Sequence, residues 1–394
     1  MAIKYVDELE FEGKRVFLRA DLNVPLDDAG QITDDTRIRA VLPTIRQIVR
    51  KDGRLIVASH LGRPKGKRDE KMSLMPVAER LAELLERQVV MAPDVVSDGV
   101  KIVAMQLKDG DILLLENLRF HPGETANDPE FAAKLAEMTE IYVNDAFGSS
   151  HRAHASVDAL PRMVKEKAAG YLMRKELRYL QEALSGPERP FWAILGGAKV
   201  SDKLGVVDNL LGKVDGLIIG GGMAYTFLAA QGFNVGKSLV DTTRIAYAKD
   251  VLEKAKKKGV KILLPLDHVV ATAINEFAET KVVDNEHIPS DKMRLDIDPR
   301  TIRLFTEALV GAKTIVWNGP MGVFEQPAFA AGTFEIAKAV ADSGALSVVG
   351  GGESVSAVKK AGVADKISHV STGGGASLEV LEGKVLPGVA ALES

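Results

Sequence analysis

The chain has no cysteine. Disulfide frameworks, thiolate metal centres and a thiol nucleophile are thereby excluded, and a reducing compartment fits. Aromatic residues make up only 5% of the chain, too few for a base-stacking surface, and lysine and arginine form no long tract. A nucleic-acid interface is therefore not expected. No charge sign dominates either: 51 basic residues stand against 54 acidic ones, for a net charge of −3. Long apolar runs are scarce. The one uncharged window long enough to cross a bilayer lies between Asp215 and Lys237. It contains Gly220-Gly221-Gly222, Gln231, Gly232 and Asn234, so it reads as strand, glycine loop and helix, and no membrane span is expected. Met1 to Lys14 carries charges throughout and does not read as a secretory signal, which points to a cytoplasmic protein.

What is present is length, apolar content and glycine. At 394 residues and 46% hydrophobic, the chain is long enough for two domains, each with its own core. Short apolar runs at Arg15 to Leu18, Leu55 to Val57, Val89 to Met91, Ile112 to Leu115 and Ile141 to Val143 alternate with segments of helical period such as Ile38 to Val49 and Leu74 to Leu85. A second set follows at Trp192 to Leu195, Leu217 to Ile219, Ile262 to Leu264, Ile315 to Trp317 and Leu346 to Val349, with helical stretches at Asp241 to Lys258 and Pro299 to Leu309. This alternation predicts α/β lobes built on mainly parallel sheets. Between the sets, Met163 to Leu184 reads as one long helix joining the lobes, stopped by Ser185-Gly186-Pro187. No period of 20 to 50 residues suggests a solenoid, and no heptad pattern argues for association, which leaves the oligomeric state open.

In the first set, polar and cationic residues fall where strands end. Asp21 and Asn23 follow the first strand, Arg37 and Arg39 sit on the next helix, and His60 and Arg63 follow the second strand. Arg119 follows a later strand, and His151, Arg152 and His154 follow the run through Asn144. Ligands of open α/β sheets bind outside the carboxyl ends of strands, so these residues can converge. One arginine alone reads as an ordinary surface charge; four at successive strand ends point to a multiply charged anion, since the guanidinium fork matches carboxylate and phosphate oxygens. The pair His151 and His154 lacks the third ligand and carboxylate motif of a zinc site.

The second set carries glycine runs at 196–197, 220–222, 350–352 and 373–375. Glycine at the opening of a helix lets bare backbone N–H groups approach an anion, and the helix dipole favours negative charge there. Gly197, Gly351, Gly352 and Gly374 are thus candidates to hold phosphates. Lys199 and Lys203, four apart, are expected on one face of a following helix, close to such an anion. Residues 232–238 resemble a Walker loop but have three residues between the glycines where four are needed. No G-x-G-x-x-G follows the first strand, which disfavours a nicotinamide dehydrogenase.

These motifs resemble the phosphoglycerate kinase family from Asp7 to nearly the last residue. The resemblance rests on Arg19-Ala20-Asp21-Leu22-Asn23-Val24-Pro25, His60-Leu61-Gly62-Arg63-Pro64, Leu115-Glu116-Asn117-Leu118-Arg119-Phe120 and His151-Arg152-Ala153-His154. It continues through Gly196 to Lys203, Trp317-Asn318-Gly319-Pro320 and Ser371 to Ser377. It implies two Rossmann-like lobes, each a mainly parallel sheet flanked by helices, joined by a long helix and hinge. The phosphoglycerate-binding domain would span 1–170, with 381–394 returning to it, and the nucleotide-binding domain 171–380. The implied reaction is phosphoryl transfer between 1,3-bisphosphoglycerate and ADP, giving 3-phosphoglycerate and Mg-ATP on lobe closure. Carried over by position, Asp21, Asn23, Arg37, His60, Arg63, Arg119 and Arg152 match the phosphoglycerate site. Lys203, Glu325 and Gly351 to Ser354 match the nucleotide site, with Gly197, Lys199 and Asn318 beside them, and Arg37, Lys203, Gly351 and Gly374 are the expected catalytic groups. Glu353 stands where many members have Asp, and is the expected contact to magnesium, directly or through water. Arg294-Leu295-Asp296 and Asp298-Pro299 depart from the common Gly-Leu-Asp and Gly-Pro, so the resemblance leaves the nucleotide contacts of that loop open. A different phosphotransferase or nucleotide-dependent ligase, and a two-lobed anion-binding protein without chemistry, are the alternatives that the residues alone leave open.

Overall fold

The computed structural model describes residues 3–275 and 277–393. In one compact unit, Met1–Leu177 with Val385–Ser394, the strands are β1 (Arg15–Ala20), β2 (Arg54–Ala58), β3 (Val90–Met91), β4 (Ile112–Leu114), β5 (Ile141–Asp145) and β6 (Glu166–Ala169). They form a six-stranded sheet in the order β3-β4-β2-β1-β5-β6, parallel at every pairing. Crossover helices cover both faces of such a sheet, which is why β1 and β5 are buried almost throughout and read as continuous apolar runs. Helix Thr36–Arg50 buries Ile38, Val41, Leu42, Ile45, Ile48 and Val49, spaced by about a helical turn, in a core shared with Leu18, Leu55 and Val57. The terminal helix Pro387–Glu393 belongs to this unit. The Gly388 N–H donates to the Ser150 carbonyl at 2.9 Å, and a side chain there would run into Ser150 and Val157.

The other unit, Arg178–Lys384, holds β7 (Phe191–Leu195), β8 (Gly216–Ile219), β9 (Lys261–Leu263), β10 (Asp267–Ala271), β11 (Lys281–Asp284), β12 (Met293–Ile297), β13 (Thr314–Asn318), β14 (Leu346–Gly350) and β15 (His369–Val370). Its main sheet is again parallel, in the order β15-β14-β13-β7-β8-β9. Beside it, β11-β10-β12 form a small antiparallel sheet. In both large sheets the chain order reverses at a neighbouring pair, β1 with β5 and β7 with β13, and crevices open at the carboxyl ends of such pairs.

The structure departs from the sequence reading at one segment and adds detail at others. The segment Met163 to Leu184 is not one helix: β6 interrupts it, and the helix proper is Tyr171–Ser185. Lys165 to Ala169 favours a helix locally, but pairing with β5 and burial of Ala168 and Ala169 decide for a strand. The division of the chain falls inside that helix, after Leu177, and the returning tail starts at Val385. The small antiparallel sheet was not anticipated, because Asp267, His268, Lys281, Asp284, Arg294 and Asp296 break its apolar pattern. Finally, the Walker-like residues 232–238 form a turn, with a Gly236 side chain excluded by the carbonyls of Pro289 and Lys292.

Candidate active site

The first cluster forms at the carboxyl ends of β1, β2, β4 and β5. Arg37 reaches back from its helix to Asp21, Nη1 to Oδ2 at 2.7 Å. Asn23 accepts the Gly62 N–H on Oδ1 at 2.8 Å, which ties the loop after β1 to the loop after β2. Arg119 donates from Nη1 to the Gly62 carbonyl at 2.9 Å, while its buried Nε has no acceptor among the described residues. Arg152 donates from Nε to His151 Nε2 at 3.1 Å. Arg63 is exposed on the loop after β2. Arg39 does not join the cluster: it pairs with Asp35 at 2.9 Å, a carboxylate that also holds Arg80.

The residue that sequence reasoning missed as part of this site is Arg19, fully buried inside β1. Its Nε donates to Ser156 Oγ at 2.8 Å and its Nη1 to the Ala20 carbonyl, and its Nη2 lies 3.2 Å from His60 Nδ1. Ser156 in turn donates to the buried Glu124 at 2.6 Å. The signal was available: a charge within an otherwise apolar strand. A guanidinium only donates, so His60 Nδ1 accepts and the ring proton lies on Nε2. Burial, then the charges of Arg19, Arg119 and Arg37, holds His60 well below its ordinary pKa, so the ring is neutral. Burial and the charges of Arg119, Arg19 and Arg152 lower His154 to about 4, and burial with Arg19 and Arg152 lowers Arg119 to about 10. The charges of Arg19 and Arg152 beside Arg119, whose Nε has no acceptor among the described residues, suit this cluster to an anion carrying several charges.

The second cluster sits where β7 meets β13. The Gly196 N–H donates to the Asn318 carbonyl and the Gly197 N–H to the Pro320 carbonyl, each at 3.0 Å. Lys203 is 8% exposed, and its Nζ donates to the Gly196 carbonyl at 2.6 Å and to the Asn318 carbonyl at 2.8 Å. Burial lowers its pKa to about 8, against the nearby charges of Glu353 and Asp202. Lys199 and Lys203 do not share one helical face. A short 3-10 turn, Val200–Lys203, separates Lys199 from the α-helix Leu204–Leu210, leaving Lys199 exposed while Lys203 turns inward. Gly319 has φ of +99°, and a side chain there would overlap the Gly196 carbonyl and the Lys203 ammonium.

Asn318 and Ser354 fasten this loop to the next. Asn318 Nδ2 donates to the Gly350 carbonyl at 3.0 Å, and Ser354 Oγ accepts the Gly319 N–H at 2.6 Å. Gly351, with φ of +91°, opens helix Gly352–Lys360, whose first N–H groups have no side-chain cap. Gly374, with φ of +46°, precedes helix Gly375–Leu381, and its carbonyl accepts from Ser377 Oγ at 2.8 Å. Gly352 and Glu353 are exposed at this mouth, as is Glu325. A cavity of about 300 Å³ opens beside them. Backbone of Gly197, Ala198, Gly221 and Gly222 forms one wall, Leu239, Ile274, Leu295 and Val323 form apolar walls, and Glu325 and Glu353 stand on its lining. Apolar walls with a few polar groups suit a flat heterocycle. Among the described residues no group of three or more His, Asp or Glu could hold a metal by itself. Magnesium commonly takes one or two carboxylates and otherwise phosphate oxygens and water, so the exposed Glu353 in the first turn of its helix fits that role.

A family model described as phosphoglycerate kinase matches residues 6–384. The phosphoglycerate kinase of Acidobacterium capsulatum is 59% identical over 396 residues, covering 98% of each chain. A cytosolic phosphoglycerate kinase of Triticum aestivum is 56% identical over 389 residues, covering 98% of this chain and 97% of its own. The solved structure of phosphoglycerate kinase from Coxiella burnetii aligns with a TM-score of 0.91 at 41% identity, covering 100% of this chain and 99% of its own. With the fold, its two anion-suited clusters and full-length similarity in agreement, the chain belongs to the phosphoglycerate kinase family.

Proposed function

We propose that the chain carries out the reversible transfer of a phosphoryl group from 1,3-bisphosphoglycerate to ADP, giving 3-phosphoglycerate and ATP, a step of glycolysis, by direct in-line displacement. The observation that supports this most is the division of labour: an arginine cluster in one unit and glycine loops beside an apolar cavity in the other. The bond from phosphorus to the carboxylate oxygen breaks as the bond to the terminal ADP oxygen forms. The leaving carboxylate is stable as an anion, so no general base is needed and the neutral His60 has no proton to take. Catalysis is then alignment and charge stabilisation.

Asp21, Asn23, Arg37, His60, Arg63, Arg119 and Arg152 bind the phosphoglycerate, with Arg19 holding His60 in its tautomer. Gly197, Lys199, Asn318, Glu325 and Gly351 to Ser354 surround the nucleotide. Arg37 and Lys203, with backbone N–H groups near Gly351 and Gly374, stabilise charge on the transferring group. A magnesium ion held by the nucleotide phosphates and Glu353, directly or through water, would neutralise phosphate charge. No described helix is long and apolar enough to cross a membrane. The wheat relative is named as cytosolic, which supports a cytoplasmic location, and a monomer is proposed as well. A dehydrogenase-coupled assay that consumes the acyl phosphate tests the reading: turnover should require both Mg-ATP and 3-phosphoglycerate. Equal turnover with an unphosphorylated hydroxy acid would overturn it.

A further inference from the structure

Behind the first cluster, Glu124 of the short helix Pro122–Thr125 and Ser156 of the chain after β5 are both 0% exposed. Glu124 Oε2 accepts the Ser156 N–H at 2.9 Å, and Oε1 accepts the Ser156 hydroxyl at 2.6 Å. The Ser156 carbonyl accepts the Tyr142 hydroxyl at 2.8 Å, which pins this stretch against β5. With its proton directed at Glu124, Ser156 Oγ is left to accept the Arg19 Nε–H, at 2.8 Å. Arg19 Nη2 then lies 3.2 Å from His60 Nδ1, which accepts because a guanidinium has nothing else to offer it. Every link points the same way, and the direction is set at the buried end, where a carboxylate only accepts.

At the open end His60 Nε2 carries the ring proton. It has no protein partner among the described residues, and it is not among the buried atoms sealed from solvent. The other tautomer would set a proton on Nδ1 against the Arg19 N–H and turn a lone pair towards an incoming anion. Which nitrogen of a histidine carries the proton follows from the hydrogen bond that the other one makes. Balancing the charge of Arg19 would need only direct contact with Glu124; the serine between them gives the link a direction. We propose that Glu124 and Ser156 are positioning residues for phosphoglycerate binding, holding His60 through Arg19 as an Nε2–H donor to an oxygen of the bound anion. This rests on the reading of the arginine cluster as the phosphoglycerate site.

Two measurements on the full chain test it. In NMR of protein labelled with nitrogen-15 histidine, the His60 signal, identified by its loss in His60→Ala, should show the Nε2–H tautomer alone in the wild type. Ser156→Ala, which cuts the chain without removing a charge, and Glu124→Gln, which can turn an amide N–H towards Ser156, should each give a mixture. A wild-type tautomer in either variant overturns the assignment of that residue. In the coupled assay, Ser156→Ala should raise KM for 3-phosphoglycerate about tenfold and leave KM for Mg-ATP unchanged. Added to His60→Ala it should bring no further rise, because the two act as one unit. An equal rise in both backgrounds overturns the proposal and leaves the network a support of the fold. KM and tautomer are both independent of the fraction folded, so partial misfolding does not obscure them. Should His60→Ala leave KM for 3-phosphoglycerate unchanged, His60 is no ligand and the reading of the site falls with the proposal, whatever tautomer the NMR finds.

Discussion

Lys203 shows how one side chain takes its chemistry from its surroundings. Two carbonyls and burial hold its ammonium at the junction of β7 and β13, and the same burial lowers its pKa to about 8. Removing a charge that stabilises a transition state commonly costs about a hundred- to a thousandfold in rate. We expect Lys203→Ala to lower kcat by that factor in the coupled assay, with normal circular dichroism; near-normal turnover would remove Lys203 from the mechanism. The charged amine is the active form, so kcat/KM for the nucleotide should fall as pH rises through about 8 in the wild type. The residual activity of Lys203→Ala should lack that limb. For stability the sign is opposite: the unfolded lysine binds its proton more tightly, so the cost of burying it shrinks as pH rises above about 8. The sequence placed Lys203 after a glycine pair but could not show its inward turn, because a 3-10 turn and an α-helix share similar local spacing.

At the scale of elements, the junction of β5 with helix Tyr171–Ser185 carries a buried carboxylate. Asp145 ends β5, and its Oδ1 accepts the Met173 N–H at 2.9 Å in the first turn of the helix. Burial pushes the carboxyl up to about 7, against its hydrogen bonds from Thr44, Met173 and Leu172. A folded pKa above the unfolded 3.8 means that the folded chain holds more protons between about 4 and 7, so stability falls as pH rises through that window. Asp145→Asn has no such fall. Relative to the wild type it should gain on the order of 2 kcal/mol between pH 5 and pH 8. Chemical denaturation followed by far-ultraviolet circular dichroism checks this, because both tryptophans, Trp192 and Trp317, lie in the other unit. A stability difference independent of pH would contradict the buried, titrating carboxyl. Helix existence was legible here from apolar spacing, and strand β6 was not, since pairing with β5 overrode a helical composition.

At the scale of the molecule, the two proposed sites belong to different compact units, and the proposed direct transfer requires their substrates to meet. We expect 3-phosphoglycerate and a non-transferring Mg-nucleotide, added together, to reduce the radius of gyration in small-angle scattering more than either alone. Identical scattering in all states would argue against closure. Much of the architecture was legible: alternating apolar runs and helical periods specify two parallel-sheet units, because a strand buried on both faces has to be apolar along its length. The charged strands of the small antiparallel sheet were not legible, since their partners lie beside them in space and not in sequence. By itself the sequence determined the absence of thiol chemistry, the arginines at strand ends and the glycines where side chains would collide, all properties of residue type and order. Only the tertiary structure decided that Arg19 is buried against His60, that Lys203 turns inward and that Arg294 is buried with two donors that meet no acceptor among the described residues. Each depends on desolvation and on neighbours distant in the chain, and those exist only once the strands are assembled.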